Sequence, residues 1–481
     1  MPATRRNFLG SLAGFGSAAA LSARPSAVSR PPNVLLITAD DMNWDSPGIY
    51  GGRVPGITPN IDRLASQGMR FTRAHVTVAV CQPSRSVLMT GRYPHRNGAE
   101  GFQPIRNDVP TLQERLHAAG YLNGIMAKNS HLAPQSKFCW DFYVPPEELG
   151  DGRSPSLYYR RSKEFFDKAK VARRPFFLMA NSQDPHRPFA GSQEELRQFG
   201  KQYPYSREIE PREAVIPGFL PDLPNLRREV ARYFTSVYRC DETVGEVLRS
   251  LEESGLANET LVMFLSDNGM AFPFAKTNCY LASTKTPWIV RWPERVKRGS
   301  VNRTEFVSGI DFAPTVLAAA GLDALEGADG RSFLPLLSGR HDWRRDCVFT
   351  VFHETSAGDR FEMRCVQDAR FGYIFNAWAD GERVFRNEAR GSASFAAMQA
   401  AAGSDARIAD RVRFFLYRAP QELYDFAADP CALTNLASGA RYEKEMARMR
   451  RRLSEWMAAT GDPLLRVFDP DRVVPAPHDG G

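Results

Sequence analysis

The sequence predicts an α/β fold: a large, doubly wound mixed sheet flanked by helices, then a smaller α+β domain carrying an antiparallel sheet. Three observations carry that prediction. Four short apolar runs, over 33–39, 121–127, 175–181 and 260–265, are nearly continuous, as strands buried on both faces are. Helical patterns at 58–64, 111–119 and 226–253 alternate with them. Near residue 340 the alternation gives way to shorter strands at 347–353, 363–368 and 371–378, closed by a helix over 441–459. The expected organisation is a leader and linker over 1–30, a main domain over 31–340 and a second domain over 341–481. A chain of 481 residues, 43% hydrophobic and 24% charged, is long enough for both cores.

The leader reads Thr4-Arg5-Arg6-Asn7-Phe8-Leu9-Gly10, followed by a small-residue apolar stretch to Ala23 and a Pro/Ser/Arg-rich linker. Paired arginines before Phe-Leu and an Ala/Gly/Ser stretch predict a twin-arginine export signal, hence a periplasmic or extracellular protein. No apolar run in the mature region is long enough to span a membrane. A net charge of +7 suits an anionic substrate, although the leader and the last helix supply part of it. Basic-aromatic repeats and nucleic-acid motifs are missing, which argues against a nucleic-acid partner. Seven cysteines without zinc spacing leave one or two disulfides open and none assignable.

Strand 33–39 ends on Asp40-Asp41, at the carboxyl end where open α/β sheets place their sites. Adjacent acids repel, so a hard cation is the natural reason to hold both; read alone, the pair is also an ordinary acidic turn. A helix over 58–64 and a strand over 69–75 precede Cys81-Gln82-Pro83-Ser84-Arg85, which continues to Thr90-Gly91. Pro83 and Ser84 favour a helix start just after Cys81, where backbone N–H groups face an incoming anion. Arg85, one turn in, suits a forked pair of hydrogen bonds to a hydrated carbonyl or a sulfate oxygen. The 121–127 strand ends on Lys128-Asn129-Ser130-His131. The 175–181 strand runs into Asp184-Pro185-His186-Arg187. The 260–265 strand ends on Ser266-Asp267-Asn268-Gly269, and Lys276 follows. A carboxylate beside an amide oxygen again suits a hard cation.

Taken together, these stretches resemble the sulfatase family, which has an alkaline phosphatase-like fold, and the likeness covers almost the whole mature chain. The family pattern is Cys-x-Pro-Ser-Arg, four residues, Thr-Gly. In it the cysteine becomes formylglycine, whose hydrate is the nucleophile. The resemblance implies that residues 31–340 form the catalytic domain. Cys81, Arg85, Lys128, His131, His186 and Lys276 would be catalytic. Asp40, Asp41, Asp267 and Asn268, completed by residue 81, would hold one Ca²⁺ in preference to Mg²⁺. Lys128, His186 and Lys276 would meet the sulfate, His186 or Lys276 would protonate the leaving group, and His131 would be the base that expels sulfate. Two residues separate Lys128 from His131, where the family usually has one.

The C-terminal half is similar to the heparan N-sulfatase (sulfamidase) branch. The residues that carry this are 266–274, Thr277-Asn278-x-Tyr280, His353-Glu354, Arg364-x-Val366-Gln367 and Tyr417-Arg418-Ala419-x-x-Glu422-Leu423-Tyr424-Asp425. That branch has Arg where this chain has Lys276. The resemblance implies a sulfated carbohydrate substrate, N-sulfoglucosamine foremost, and a formylglycine-generating enzyme during maturation. A loop carrying His353, Glu354 and Arg364, together with Arg187, would bind the sugar. Alternatives are an O-sulfatase on another sulfated glycan or an aryl sulfate, a phosphonate monoester or phosphodiester hydrolase, and an inactive glycan-binding module. Homodimerisation is left open.

Overall fold

The computed structural model describes residues 31–293, 295–340 and 343–468. The export signal expected over residues 1–30 lies outside them. The strands are β1 (Asn33–Ala39), β2 (Met69–Phe71), β3 (Ala74–His75), β4 (Leu122–Met126), β5 (Phe142–Val144), β6 (Phe176–Asn181), β7 (Thr260–Ser266), β8 (Trp288–Arg291), β9 (Ser300–Asn302), β10 (Val307–Ser308), β11 (Cys347–Glu354), β12 (Arg360–Asp368), β13 (Phe371–Asn376) and β14 (Gln421–Asp425). Eight of them form a mixed sheet in the order β5-β4-β6-β1-β7-β8-β2-β9. The run from β5 to β7 is parallel, and β8 is antiparallel to both neighbours. β11 to β14 form a separate antiparallel sheet in sequence order. The predicted α/β sheet and the second, antiparallel sheet are both present.

The continuous apolar runs have a direct cause. Leu35 and Ile37 of β1 join one hydrophobic core and Val34 and Leu36 the other, so both faces of the strand are covered. β7 divides the same way, with Val262 and Phe264 on one side and Leu261, Met263 and Leu265 on the other. Each such side chain contributes roughly 1.5–3 kcal/mol by leaving water. The 30-residue helix Pro224–Glu253 buries Val230, Val237, Val244 and Leu251 over the first core, a seven-residue repeat.

Register then places the site. Thr38 pairs with Asn181 of β6 and Ala39 with Ser266 of β7, so the carboxyl ends of three adjacent strands lie level. The second sheet clamps the segment that leads to Cys81: Val78 bridges Val351 of β11, whose N–H donates to Thr77 O at 2.8 Å.

Several local expectations change. The 69–75 strand is two short pieces, β2 and β3, which serve different sheets. The Ala/Gly-rich stretch near 395–404 reads as low complexity but is the helix Ala393–Ala402, capped by Ser392, whose hydroxyl accepts from Phe395 N. The helix Pro155–Ala172 and strands β5 and β14 were not foreseen. All seven cysteines are free thiols, so neither of the disulfides left open by the sequence forms.

Candidate active site

Four neighbouring strand ends, those of β4, β6, β1 and β7, lead to all of the side chains but Cys81 and Arg85, which come from the helix after β3. After β1 the chain turns at Asp41 with φ 67, a left-handed conformation that aspartate tolerates better than most residues. Asp41 N donates to Asp267 Oδ1 (3.2 Å) and Met42 N to Ser266 Oγ (2.9 Å), which locks the β1 and β7 ends together. Gly269 has a steric reason to close the Asp-Asn-Gly run: a Cβ there would stand 1.7 Å from Ala282 O.

Cys81 is the first residue of the helix Cys81–Thr90, which starts one position earlier than the sequence suggests, and every residue of that helix is buried. Its thiol donates to Asp40 Oδ1 at 3.4 Å. Ser84 Oγ donates to the Asp267 carbonyl at 2.6 Å. Arg85 departs from its expected use. Nη2 donates to Asp267 Oδ2 at 2.6 Å, and Nη1 to Asn181 Oδ1 at 2.6 Å and Thr38 Oγ1 at 2.9 Å. Both amino groups are therefore engaged by protein, and only Nε is left without a partner. Arg85 holds the strand ends instead of presenting a free fork. Thr38 and Asn181 were missed. Their only signal in the sequence is a polar residue at or near the end of an apolar run.

Lys128 pairs with Asp40. Lys276 lies 2.9 Å from Asp41 Oδ1 and 3.0 Å from Glu388, a residue that nothing in the sequence flags. His186 points Nε2 at Asp41 Oδ2, 3.8 Å away, while its Nδ1 is 2.5 Å from Arg187 O. A carbonyl can only accept, so Nδ1 carries the hydrogen and Nε2 is left free for proton exchange. His131 closes a turn after β4, its Nδ1 buried without a partner and its ring edge-on to Phe102.

Burial alone would raise the Asp40 carboxyl, but Lys128, then His186, Arg85 and Lys276, hold it well below the usual range. Burial pushes Asp41 up to about 7 against the pull of Lys276, with Asp40 adding to the rise. Asp267 is pushed to about 7 in the same way, against Arg85. Burial and Asp40 push the Cys81 thiol far up. Burial, then Lys276, pulls His186 down to about 4, and burial with Lys128 pulls His131 lower still.

The donor set fits a hard cation. Asp40, Cys81 and Asp267 bring ligand atoms within 4.8 Å of one another, as do Asp41, Cys81 and His186. Asn268 Nδ2 donates to Asp41 Oδ1 at 2.6 Å, which fixes the amide. Its Oδ1 is buried with no hydrogen-bond partner, an acceptor awaiting a positive ligand.

The second-sheet residues separate. Glu354, at the end of β11, touches Gln103, whose carbonyl accepts from Gln82 Nε2 at 2.9 Å, so it reaches the neighbour of Cys81 through one residue. His353 is fully buried, with neither ring nitrogen hydrogen-bonded. Arg364 corrects the expectation of a sugar-binding loop. It lies within β12, fully buried and forked onto Asp462 at 2.5 and 3.1 Å. Arg187 is tied to Glu229 at 2.5 Å and stacked on Phe189, so its guanidinium is largely engaged.

This architecture is shared. The Sulfatase family model matches residues 32–322, and the model "N-sulphoglucosamine sulphohydrolase, C-terminal" matches 271–380. The chain is 31% identical to human N-sulphoglucosamine sulphohydrolase over 478 residues, 93% of each chain. It is 28% identical to an ulvan-active sulfatase of Formosa agariphila, covering 92% of this chain and 83% of that protein. A solved structure in complex with its substrate D-glucosamine-2-N,6-O-disulfate superposes with TM-score 0.69 at 19% identity, over 90% of this chain and 99% of that one. With the family pattern spanning more than half its length, the chain belongs to the sulfatase family and is a hydrolase of sulfate esters or sulfamates.

Proposed function

We propose that the protein removes the N-sulfate from a glucosamine residue at the end of a sulfated glycan. In this reading Cys81 is converted to formylglycine, and Asp40, Asp41, Asp267 and Asn268 hold one Ca²⁺, with residue 81 completing the site. The observation that carries the reading is the convergence of those five residues with Lys128, His186 and Lys276 where four adjacent strand ends meet the start of the Cys81 helix. The N-sulfate rests on the 31% identical human relative and on the C-terminal family match.

The cation supplies positive charge against the sulfate oxygens, and the aldehyde hydrate supplies a nucleophilic hydroxyl. The chain's own residues do the rest. Arg85 fixes Asp267 in place and opposes the protonation that burial favours. Lys128 and Lys276 neutralise the carboxylates now and are placed to meet sulfate oxygens. Lys276, which Asp41 holds protonated against burial, hands a proton to the leaving nitrogen as the N–S bond breaks, or His186 does so once its free Nε2 has taken one up; water supplies the oxygen that completes sulfate, and the amine departs protonated. His131 serves as the base that expels sulfate. Because Cys81 is only 3% exposed, its conversion by a formylglycine-generating enzyme precedes burial of this helix. That order agrees with export of a folded protein through a twin-arginine signal. Among the described residues no helix is long and apolar enough to cross a membrane.

The 28% identical ulvan-active relative favours a second reading, O-desulfation of another glycan. The deciding experiment is sulfate release from N-sulfoglucosamine, glucosamine 6-sulfate and an aryl sulfate, with a phosphonate monoester as a further substrate. Release from the N-sulfated sugar alone is expected, together with peptide mass spectrometry showing a carbonyl at residue 81. Fast turnover of the 6-sulfate with none of the N-sulfate would overturn the N-sulfatase reading. Full activity with an intact thiol would overturn the nucleophile.

A further inference from the structure

A second cluster of cations lies in the C-terminal part of the fold, around a cavity of about 900 Å³. Its walls are the helix Ala406–Tyr417, Tyr424 of β14 and the loops at 381–382 and 433–435. None of these residues belongs to the Cys81 cluster. The volume is in the range that holds a small organic ligand.

The unusual feature is two guanidinium groups without a carboxylate partner. Arg411 donates Nη1 to Ala432 O at 3.1 Å and lies 3.6 Å over the Phe274 ring; its Nε and Nη2 are buried with no acceptor. Arg418, 8% exposed, stands one residue past the helix at φ 56. Its amino groups donate to Tyr280 Oη (3.1 Å) and Asn278 Oδ1 (2.7 Å), both neutral, and its Nε has no acceptor. The buried acid behind them, Glu422, is already saturated by Tyr280, Tyr424 and Asn376 at 2.6–2.8 Å. Among the described residues neither arginine forms an ion pair, so buried Arg418 and half-buried Arg411 bring two positive charges to one buried negative charge. Stacking on Phe274 offsets only part of the cost of such burial. At the cavity mouth exposed Arg407 and Arg413 are matched by Glu382 and Asp410, so the positive excess of the cavity comes from Arg411 and Arg418. Phe414, Tyr417 and half-exposed Leu433 (57%) supply apolar faces of the kind sugar rings pack on.

We propose that this cavity binds a sulfated stretch of oligosaccharide, with Arg411 and Arg418 pairing to one sulfate or carboxylate and the aromatic side chains to the sugar faces. The choice of carbohydrate over other anions rests on the glycan reading of the catalytic site. The grip is a forked, charge-assisted pair from Arg411 Nε and Nη2, which turn outward to meet the ligand because protein covers both atoms. Asn278 links the two places, since it accepts from Arg418 and donates Nδ2 to Lys276 O at 3.0 Å.

The test uses the full chain carrying Cys81→Ser, which stops turnover, with a heparin hexasaccharide as probe and a neutral chitin hexasaccharide as control. Calorimetry should show salt-sensitive binding of the sulfated probe alone. Arg411→Met should weaken that binding about ten-fold, the loss of one charge-assisted pair, and flatten its salt dependence. Should Arg411→Met fail to fold by circular dichroism, the exposed double variant Arg407→Gln/Arg413→Gln carries the test, with about a three-fold weakening expected. Unchanged affinity in the folded variants overturns the site. If wild-type protein still releases sulfate, the catalytic reading survives that failure. Conversely, loss of all sulfate release with Arg411-dependent binding intact would overturn the catalytic reading and keep this site.

Discussion

Arg85 Nη2 lies 2.6 Å from Asp267 Oδ2, with neither side chain exposed to water. This pair joins the Cys81 helix to the end of β7 and so places the cysteine against the carboxylates. Removing one partner of such a pair strands a buried charge. Arg85→Met is expected to lower stability by about 3–5 kcal/mol in urea denaturation. Asp267→Asn added to it should recover much of the loss, because no lone carboxylate remains. Additive losses in the double variant would mean that the two groups do not interact.

Asn268 Oδ1 is a buried acceptor without a hydrogen-bond partner beside the carboxylates, so it should discriminate a cation site from an ordinary polar cluster. Asn268→Leu keeps the volume and removes the oxygen. Bound calcium, read by elemental analysis, is expected to fall at least about ten-fold relative to wild type, in line with loss of one ligand. Chelation of the wild type should lower its Tm by mass action. A variant that retains full calcium would remove Asn268 from the ligand set.

Arg364 and Glu354 should behave differently. Arg364→Met leaves Asp462 buried and unpaired, so it should cost about 3–5 kcal/mol of stability while the folded fraction keeps its KM. Glu354→Ala touches the Gln103–Gln82 connection and should raise KM for a sulfated glycan more than for an aryl sulfate. Equal KM changes on both substrates would exclude a sugar-side role for Glu354.

Burial, with Lys285 adding to it, pulls the His75 imidazole from 6.5 down to about 3. In the folded protein it stays neutral, whereas the unfolded chain takes up a proton below about 6.5. Between about 3 and 6.5 the unfolded state therefore binds more protons, and stability falls as pH drops through that window. The slope for one such group is about 1.4 kcal/mol per pH unit. His75→Gln should lose about 2 kcal/mol less than wild type between pH 7 and pH 5. Parallel stability curves for the two proteins would show that His75 titrates normally.

Much of the site was legible because its residues sit where the local pattern changes. Asp40-Asp41, Lys128 and Asp267-Asn268 each follow an apolar run, and a buried strand must end where charge begins. Cys81 and Arg85 sit in a short, distinctive motif. Glu388 carried no such mark: it lies in a polar loop like many others, and only the path of the chain beside Lys276 gives it a role. The misreading of Arg364 has the same origin, since a charged residue in a strand looks solvent-facing until its partner, Asp462, is found 98 residues away.

The sequence by itself determined the α/β class, the sulfatase motif and the strand ends that bear the acids, because each depends on residues close together in the chain. The tertiary structure decided which charges cancel: Arg85 against Asp267, Lys128 against Asp40, Lys276 against Asp41, and Arg364 against Asp462. It also left Arg411 and Arg418 with no acid to meet. A buried charge is tolerable only beside its opposite, and that neighbour is set by strand register and helix packing across hundreds of residues, which no local pattern records.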